Sequence, residues 1–202
     1  MNKKRHNIFA VVLAAGASKR FGSNKQVSTL GGETLVQRAA NTARKVCGEK
    51  TFLVTGHEWW KVVNAAGADR PFFIVNEKHR QGMGASIAMA ARACRSRADA
   101  MLLLLCDQPL ISAAHLQALI DTWSGDDHEI VASSYDATTG PPVLFPKATF
   151  GDLAQLTGDQ GARTVLHDSC FAVRTYPLED AATDIDTITD LDVLRDAAAF
   201  PQ

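Results

Sequence analysis

No apolar run in this chain of 202 residues approaches the ~20 that a bilayer span requires, so no membrane partner is expected. The four cysteines, Cys47, Cys94, Cys106 and Cys170, are widely separated and include no C-x-x-C pair, which reads as a reduced, cytoplasmic chain. The six histidines show no H-x-x-x-H spacing, and a structural zinc would need four soft or imidazole ligands in short pairs, so no zinc is expected. A surplus of one charge is missing as well. The formal net charge of −1 gives no general attraction to nucleic acid or an anionic surface, and any anion site must be local.

The two best-known phosphate loops are also absent. Five residues separate Gly16 from Gly22 where a Walker A loop has four, and Lys25 stands three places past Gly22 instead of next to it. The dinucleotide fingerprint G-x-G-x-x-G fails at Ser18, which argues against a dehydrogenase. In their place, Leu13 to Lys25 reads Leu-Ala-Ala-Gly-Ala-Ser-Lys-Arg-Phe-Gly-Ser-Asn-Lys, a small-residue loop with three cations directly after an apolar strand, Ile8 to Leu13. Gly16 and Gly22 let backbone N–H groups approach phosphate oxygens, and Lys19, Arg20 and Lys25 supply the opposing charge, so the loop reads as a triphosphate cradle. Lys3, Lys4 and Arg5 followed by Ile8 to Ala15 also mimic a secretory signal peptide. Cleavage there would delete the first strand of the alternation that follows, so the segment is read as a strand.

Strand-like runs and helical patterns alternate through the chain with no repeat or long linker. With 46% hydrophobic and 21% charged residues there is enough apolar material for one substantial core. The expected fold is α/β: a single doubly wound, Rossmann-like, three-layer domain over residues 1–202 with a mostly parallel sheet. Strands are expected at Phe52 to Thr55, Phe72 to Val75, Met101 to Cys106, Ile130 to Ser134 and Phe171 to Thr175. Helices are expected after Leu35, from His57 to Ala66, through Arg95, from His115 to Trp123, from Gln160 to His167, and from near Thr189.

Asp107 ends the most apolar strand, at the sheet edge where the cationic loop also lies. A carboxylate there can bind Mg²⁺, which takes one or two carboxylates plus phosphates and waters, although Asp107 could instead cap the turn before Pro109. Asp184 and Asp186 stand two places apart on an extended segment, and Asp186 is preferred to Asp184 as the second ligand beside Asp107. Gly82-Met83-Gly84-Ala85-Ser86 reads as a helix start whose glycines let the backbone lie along a ribose or base. Gly158 to Arg163 reads as a turn into a helix capped by Asp159, with Arg163 available to an anionic acceptor. His57, His115 and His167 are assigned to caps or surface. Trp59 and Trp60 are adjacent in a helix and cannot both face the core, leaving one for an interface.

With these residues in view, the chain resembles the MobA-like nucleotidyltransferase superfamily and, within it, the molybdenum cofactor cytidylyltransferases. The match comprises Leu-Ala-Ala-Gly-x-Ser-x-Arg-x-Gly-x-x-Lys at 13–25, Gly-Met-Gly-x-Ser at 82–86 and Cys-Asp-Gln-Pro at 106–109. It continues with Gly-x-Pro-Val-Leu-Phe at 140–145, Gly-Asp-Gln-Gly-Ala-Arg at 158–163 and Asp-Ile-Asp-Thr at 184–187. The resemblance implies Mg²⁺-dependent transfer of CMP from CTP to the terminal phosphate of molybdopterin-bound molybdenum, releasing pyrophosphate. The dinucleotide cofactor would pass to an apoenzyme of the xanthine dehydrogenase type. Arg20, Lys25 and Asp107 are then catalytic, and Asp107 and Asp186 hold the metal. The nucleotide falls to Leu13, Ala14, Ala15, Gly16, Ser18, Lys19, Gly82, Gly84 and Ser86, and the acceptor to Gly161 and Arg163. Residues to about 110 would bind the nucleotide and the remainder the acceptor. Related guanylyltransferases read Leu-Ala-Gly-Gly, so Ala15 favours CTP. A loop cation such as Lys25 is expected to be exposed, its loss leaving the fold intact. Competing readings are another nucleotidyltransferase, an NAD(P)H-dependent reductase of a small heterocycle, and a non-enzymatic cofactor carrier.

Overall fold

The computed structural model describes residues 6–197; Lys3, Lys4 and Arg5 of the signal-like segment lie outside them. Strand β1 (Ile8–Ala14) is buried along almost its whole length and leads into the cationic loop. A two-stranded hairpin follows, β2 (Thr29–Leu30) and β3 (Glu33–Thr34), then helix α1 (Leu35–Cys47). The Thr34 side chain accepts from the Gln37 amide at the start of α1, satisfying one of the amides a helix leaves free there. The chain continues through β4 (Thr51–Thr55), α2 (Trp59–Ala65), β5 (Phe72–Val75), α3 (Met83–Cys94) and β6 (Ala100–Leu105). Helix α4 (Ala113–Thr122) precedes β7 (Glu129–Tyr135) and β8 (Thr138–Pro146). The last elements are α5 (Phe150–Leu153), α6 (Arg163–Leu166), β9 (Ala172–Pro177) and α7 (Ile188–Asp196).

The seven-stranded sheet has the order β5-β4-β1-β6-β8-β7-β9. All its pairings are parallel except those of β8, which runs against both β6 and β7. Its two faces carry separate apolar layers. Phe9, Val11, Leu13, Met101 and Leu103 pack on α3 and α5, whereas Ala10, Val12, Leu102 and Leu104 pack under α1, α2 and α4. Strands covered on both faces read as continuous apolar runs, which is why β1 and β6 were recognisable without alternation.

After β1 the chain builds outward through β4 to β5, then returns to place β6 on the other side of β1. The order therefore reverses between β1 and β6, and ligands of open α/β sheets bind beyond the strand ends at such a point. A third apolar cluster lies there, made of Phe21, Leu30, Leu35, Ile185 and Leu191. It fastens the cationic loop to the segment before α7. Buried side chains of this size contribute about 1.5–3 kcal/mol each, enough to fix where Asp186 sits.

The expected helix from Gln160 to His167 is only the four-residue α6, preceded by Ala162 with no side-chain cap from Asp159. Residues 157–160 are instead used in a tertiary contact described below.

Candidate active site

The loop after β1 is braced from within. Gln26, almost wholly buried, donates through Nε2 to the Gly16 carbonyl at 2.9 Å, and its Oε1 accepts from the Ser18 hydroxyl at 3.1 Å. Ser18 turns through a left-handed conformation with φ 49°, and Phe21 anchors the loop's far side in the third apolar cluster. Lys19 and Arg20 remain at the rim. Lys25 does not: only 8% of it is exposed. Its ammonium donates to the Ile185 carbonyl at 2.7 Å and lies 2.7 Å from Asp107 Oδ2 and 3.0 Å from Asp186 Oδ1. The expectation of an exposed lysine is therefore corrected, because the core residues Phe21 and Ile185 pull the two ends of the loop inward. The exposed Arg20 closes the cluster, its guanidinium 2.8 Å from Asp186 Oδ2.

Two carboxylates that share one ammonium cannot have their contacting oxygens farther apart than the sum of those two short distances. Asp107 and Asp186, 79 places apart in sequence, are thus brought to one point at the carboxyl ends of β1 and β6. Burial alone would lower the Lys25 pKa, but the charges of Asp107 and Asp186 outweigh it and raise it above the ordinary value. Asp184 feels the same crowding. Partial loss of water, then the charges of Asp107 and Asp186, raise its carboxyl to about 6.

The donor set fits a hard divalent cation. Asp107 Oδ1 is buried with no hydrogen-bond partner among the described residues, an expensive state for a carboxylate oxygen unless a ligand takes it. Among the described residues no group of three or more His, Cys, Asp and Glu side chains is arranged to hold a metal alone. Phosphate oxygens and waters would complete the shell, as is usual for Mg²⁺.

A cavity of about 760 Å³ opens over this cluster, bordered by the loop from Ala15 to Arg20, by Asp107 and Asp186, and by His57, His79, Gly82, Met83, Ser86 and Asp159. Leu13 and Lys25 also line it, and Gly16, Ser18 and Lys19 lie within the bordering loop. Ala14 and Gly84 do not: Ala14 is buried within β1, and Gly84 lies behind the wall. Gly161 and Arg163 stand outside it too, Arg163 donating to the Thr138 hydroxyl at 3.1 Å.

The glycines of the Gly82 turn also make room for another stretch of backbone. A Cβ on Gly82 would meet the Gly158 carbonyl oxygen at 2.2 Å, and one on Gly84 would meet the Thr157 oxygen at 2.8 Å. The space they free is filled by the 157–160 segment, and the Gly84 amide donates to the Gly158 carbonyl at 3.0 Å. Ser86 is buried and accepts from the Asn76 side-chain amide at 2.9 Å, holding the 76–82 loop. His57, assigned from sequence to a cap or the surface, lines the cavity opposite His79, their ring centroids 5.9 Å apart. Gln26, His57 and His79 were missed because no short motif marks them; a buried Gln just after a glycine loop is the one local signal.

A family model, the MobA-like NTP transferase domain, matches residues 10–174, spanning the loop, Asp107 and the 157–163 segment. The chain belongs to this MobA-like family. It is 30% identical over 201 residues to the purine catabolism protein PucB of Bacillus subtilis, covering 94% of this chain and 97% of PucB. The solved structure of Rv0371c from Mycobacterium tuberculosis superposes with a TM-score of 0.83 at 30% identity, over 96% of this chain and all of that one. The same mycobacterial protein in complex with manganese gives a TM-score of 0.78 at 28% identity, covering 95% of this chain and 100% of that one. The protein is accordingly a nucleotidyltransferase of the MobA-like family, a family that generally uses a divalent metal. No helix among the described residues is long and apolar enough to cross a membrane.

Proposed function

We propose that this nucleotidyltransferase transfers CMP from CTP to the terminal phosphate of molybdopterin-bound molybdenum, releasing pyrophosphate, with Mg²⁺ as its metal. The observation that carries nucleotidyl transfer is the convergence of Lys25, Asp107 and Asp186 beneath the Ala15 to Arg20 loop. The cytidylyl choice is supported by Ala15 in the Leu13 to Gly16 turn together with the motifs at 140–145, 158–163 and 184–187. Residues to about 110 take the nucleotide and the later strands and loops take the acceptor. The buried thiols of Cys94 and Cys106, raised well above their ordinary pKa by burial, are unreactive and suit a reduced cytoplasm. The product suits hand-over to an apoenzyme of the xanthine dehydrogenase type.

The acceptor phosphate is already an anion at neutral pH, so no Ser, Cys or His nucleophile is needed. One of its oxygens bonds to the α-phosphorus of CTP as the α–β bridge breaks, and pyrophosphate leaves with the bridging electron pair. Lys19 and Arg20 hold the departing phosphates, and Lys25 offsets charge on the α-phosphate. A divalent cation, when held by Asp107 and Asp186, would supply further positive charge there. Gln26 keeps the loop in shape while this charge shifts, so no reorganisation is needed at the reacting centre.

Pyrophosphate release by the purified protein with Mg²⁺, molybdopterin cofactor and each of the four NTPs in turn tests the reading. Turnover with CTP alone is expected. Equal or faster release with GTP would overturn the cytidylyl assignment, and release only with a sugar or alcohol phosphate would overturn the acceptor.

A further inference from the structure

Among the described residues strand β5 ends the sheet, with β4 on one side and no strand on the other. The Asn76 amide donates to the Thr55 carbonyl of β4 at 2.7 Å, and the Thr55 hydroxyl donates to the Ile74 carbonyl at 3.4 Å. Backbone groups alternate along a strand, so Ile74 and Phe72 address β4, and Phe73 and Val75 turn their amides and carbonyls to the open side. An unpaired edge of this kind is a template for another strand.

Aromatic side chains flank this edge on both faces. Phe72 is 72% exposed, and Phe73 40%, Trp59 40% and Trp60 51%. Trp59 stacks on Phe73 with centroids 6.1 Å apart and 18° between planes, and meets Trp60 edge-on at 6.3 Å. On the opposite face Phe72 borders a hollow of about 600 Å³ lined also by Phe9, Phe52, Ile74 and Arg97. Neither Phe72 nor either tryptophan lines the candidate active site. Together the four exposed residues leave about two whole aromatic side chains in water, roughly 300–500 Å² per copy.

We propose that β5 is a dimer interface, occupied by the β5 edge of a second copy of this chain. Area and register favour that occupant. Joining two copies would bury roughly 600–1,000 Å² of aromatic surface, and the backbone edges and rim would bring the total to the ~1,200 Å² of a stable interface. Antiparallel pairing about a two-fold axis keeps faces matched. Centred on Phe73, it sets Phe73 against its own copy with a Trp59 ring behind each, and Phe72 against Ile74 of the second copy. The outward amide and carbonyl of Phe73 then bond reciprocally. Among the described residues each chain has one such edge, so the assembly closes as a dimer. The other end strand, β9, instead carries Arg174 paired with Glu129 and a proline, the usual blunting of an edge.

Sedimentation velocity on the full chain from about 1 to 100 µM, the range for an interface of this class, is the test. A dimer is expected, and Phe72→Glu and Trp60→Glu should each weaken it at least ~10-fold, with pyrophosphate release and far-UV circular dichroism unchanged. Val193→Glu, at another exposed apolar residue, should leave it intact. A monomer throughout the range would overturn the proposal and assign the patch to a different macromolecule. So would a dimer that ignores both β5-side variants, or one that Val193→Glu disrupts equally.

Discussion

Two loops border the cavity, and they are held in opposite ways. The loop from Ala15 to Lys25 is tied by side chains: Gln26 spans it, Phe21 anchors it in an apolar cluster, and Lys25 bridges two carboxylates at its base. The 157–163 segment is seated by its backbone carbonyls against Gly82 and Gly84 and by the buried Ala162, while Arg163 donates to the Thr138 hydroxyl at the surface. A triphosphate has the same charge and shape in every turnover and rewards a rigid, preformed cradle. A loop held without an ion pair among the described residues can shift without breaking one. In the proposed reaction this difference would have the first loop position the reacting phosphate and the other adjust around the second substrate.

The largest effect should come from breaking the rigid side. Lys25→Ala is expected to lower kcat by about 10²–10³, the usual loss for one group that stabilises developing charge. It should also lower the melting temperature, because Asp107 and Asp186 would face each other without their shared cation. Steady-state kinetics with thermal unfolding of the metal-free protein checks both. Adding Asp186→Asn to Lys25→Ala should recover part of the lost stability, and strict additivity of the two changes would refute the shared ion pair.

On the backbone-seated side, Gly82→Ala should act through displacement. Gly82 has φ +99°, and its added Cβ has no room beside Gly158, so the 157–160 segment must move at a cost of about 1–3 kcal/mol. The KM for the acceptor is expected to rise more than the KM for CTP. A larger change for CTP would show that the segment serves the nucleotide instead.

The smallest effect is electrostatic. In the folded protein the Asp184 carboxyl titrates at about 6, above the ~3.9 of an unfolded chain. Between these values the folded state keeps a proton the unfolded state has lost, so this group's contribution to stability falls as pH rises from about 4 to about 6. Asp184→Asn should remove that fall, leaving metal-free protein slightly more stable than wild type above pH ~6 and little changed near pH ~4. Melting curves across the range test this, and a variant less stable at neutral pH would contradict it.

Much of this arrangement was legible in the chain itself. The β1 strand and the loop to Lys25 are contiguous, so one motif carried both the strand end and its cations. Asp107 was marked by the apolar run that precedes it, and the last helix, expected from near Thr189, starts at Ile188 behind a capping box of Thr187 and Asp190. The roles of Gly82 and Gly84 were not legible, because a glycine looks the same whether it admits a ligand or another stretch of backbone. Nor were His57 and His79, which reach the cavity only because β4 and β5 end at the same sheet edge as β1.

The sequence by itself determined the elements and the cationic loop, because periodicity, caps and small-residue turns act over a few neighbouring residues. Only the tertiary structure decided that Lys25 is buried and that it meets Asp186 across 161 positions. That choice rests on the reversal of strand order between β1 and β6 and on the packing of Phe21 against Ile185, long-range contacts that no local pattern encodes.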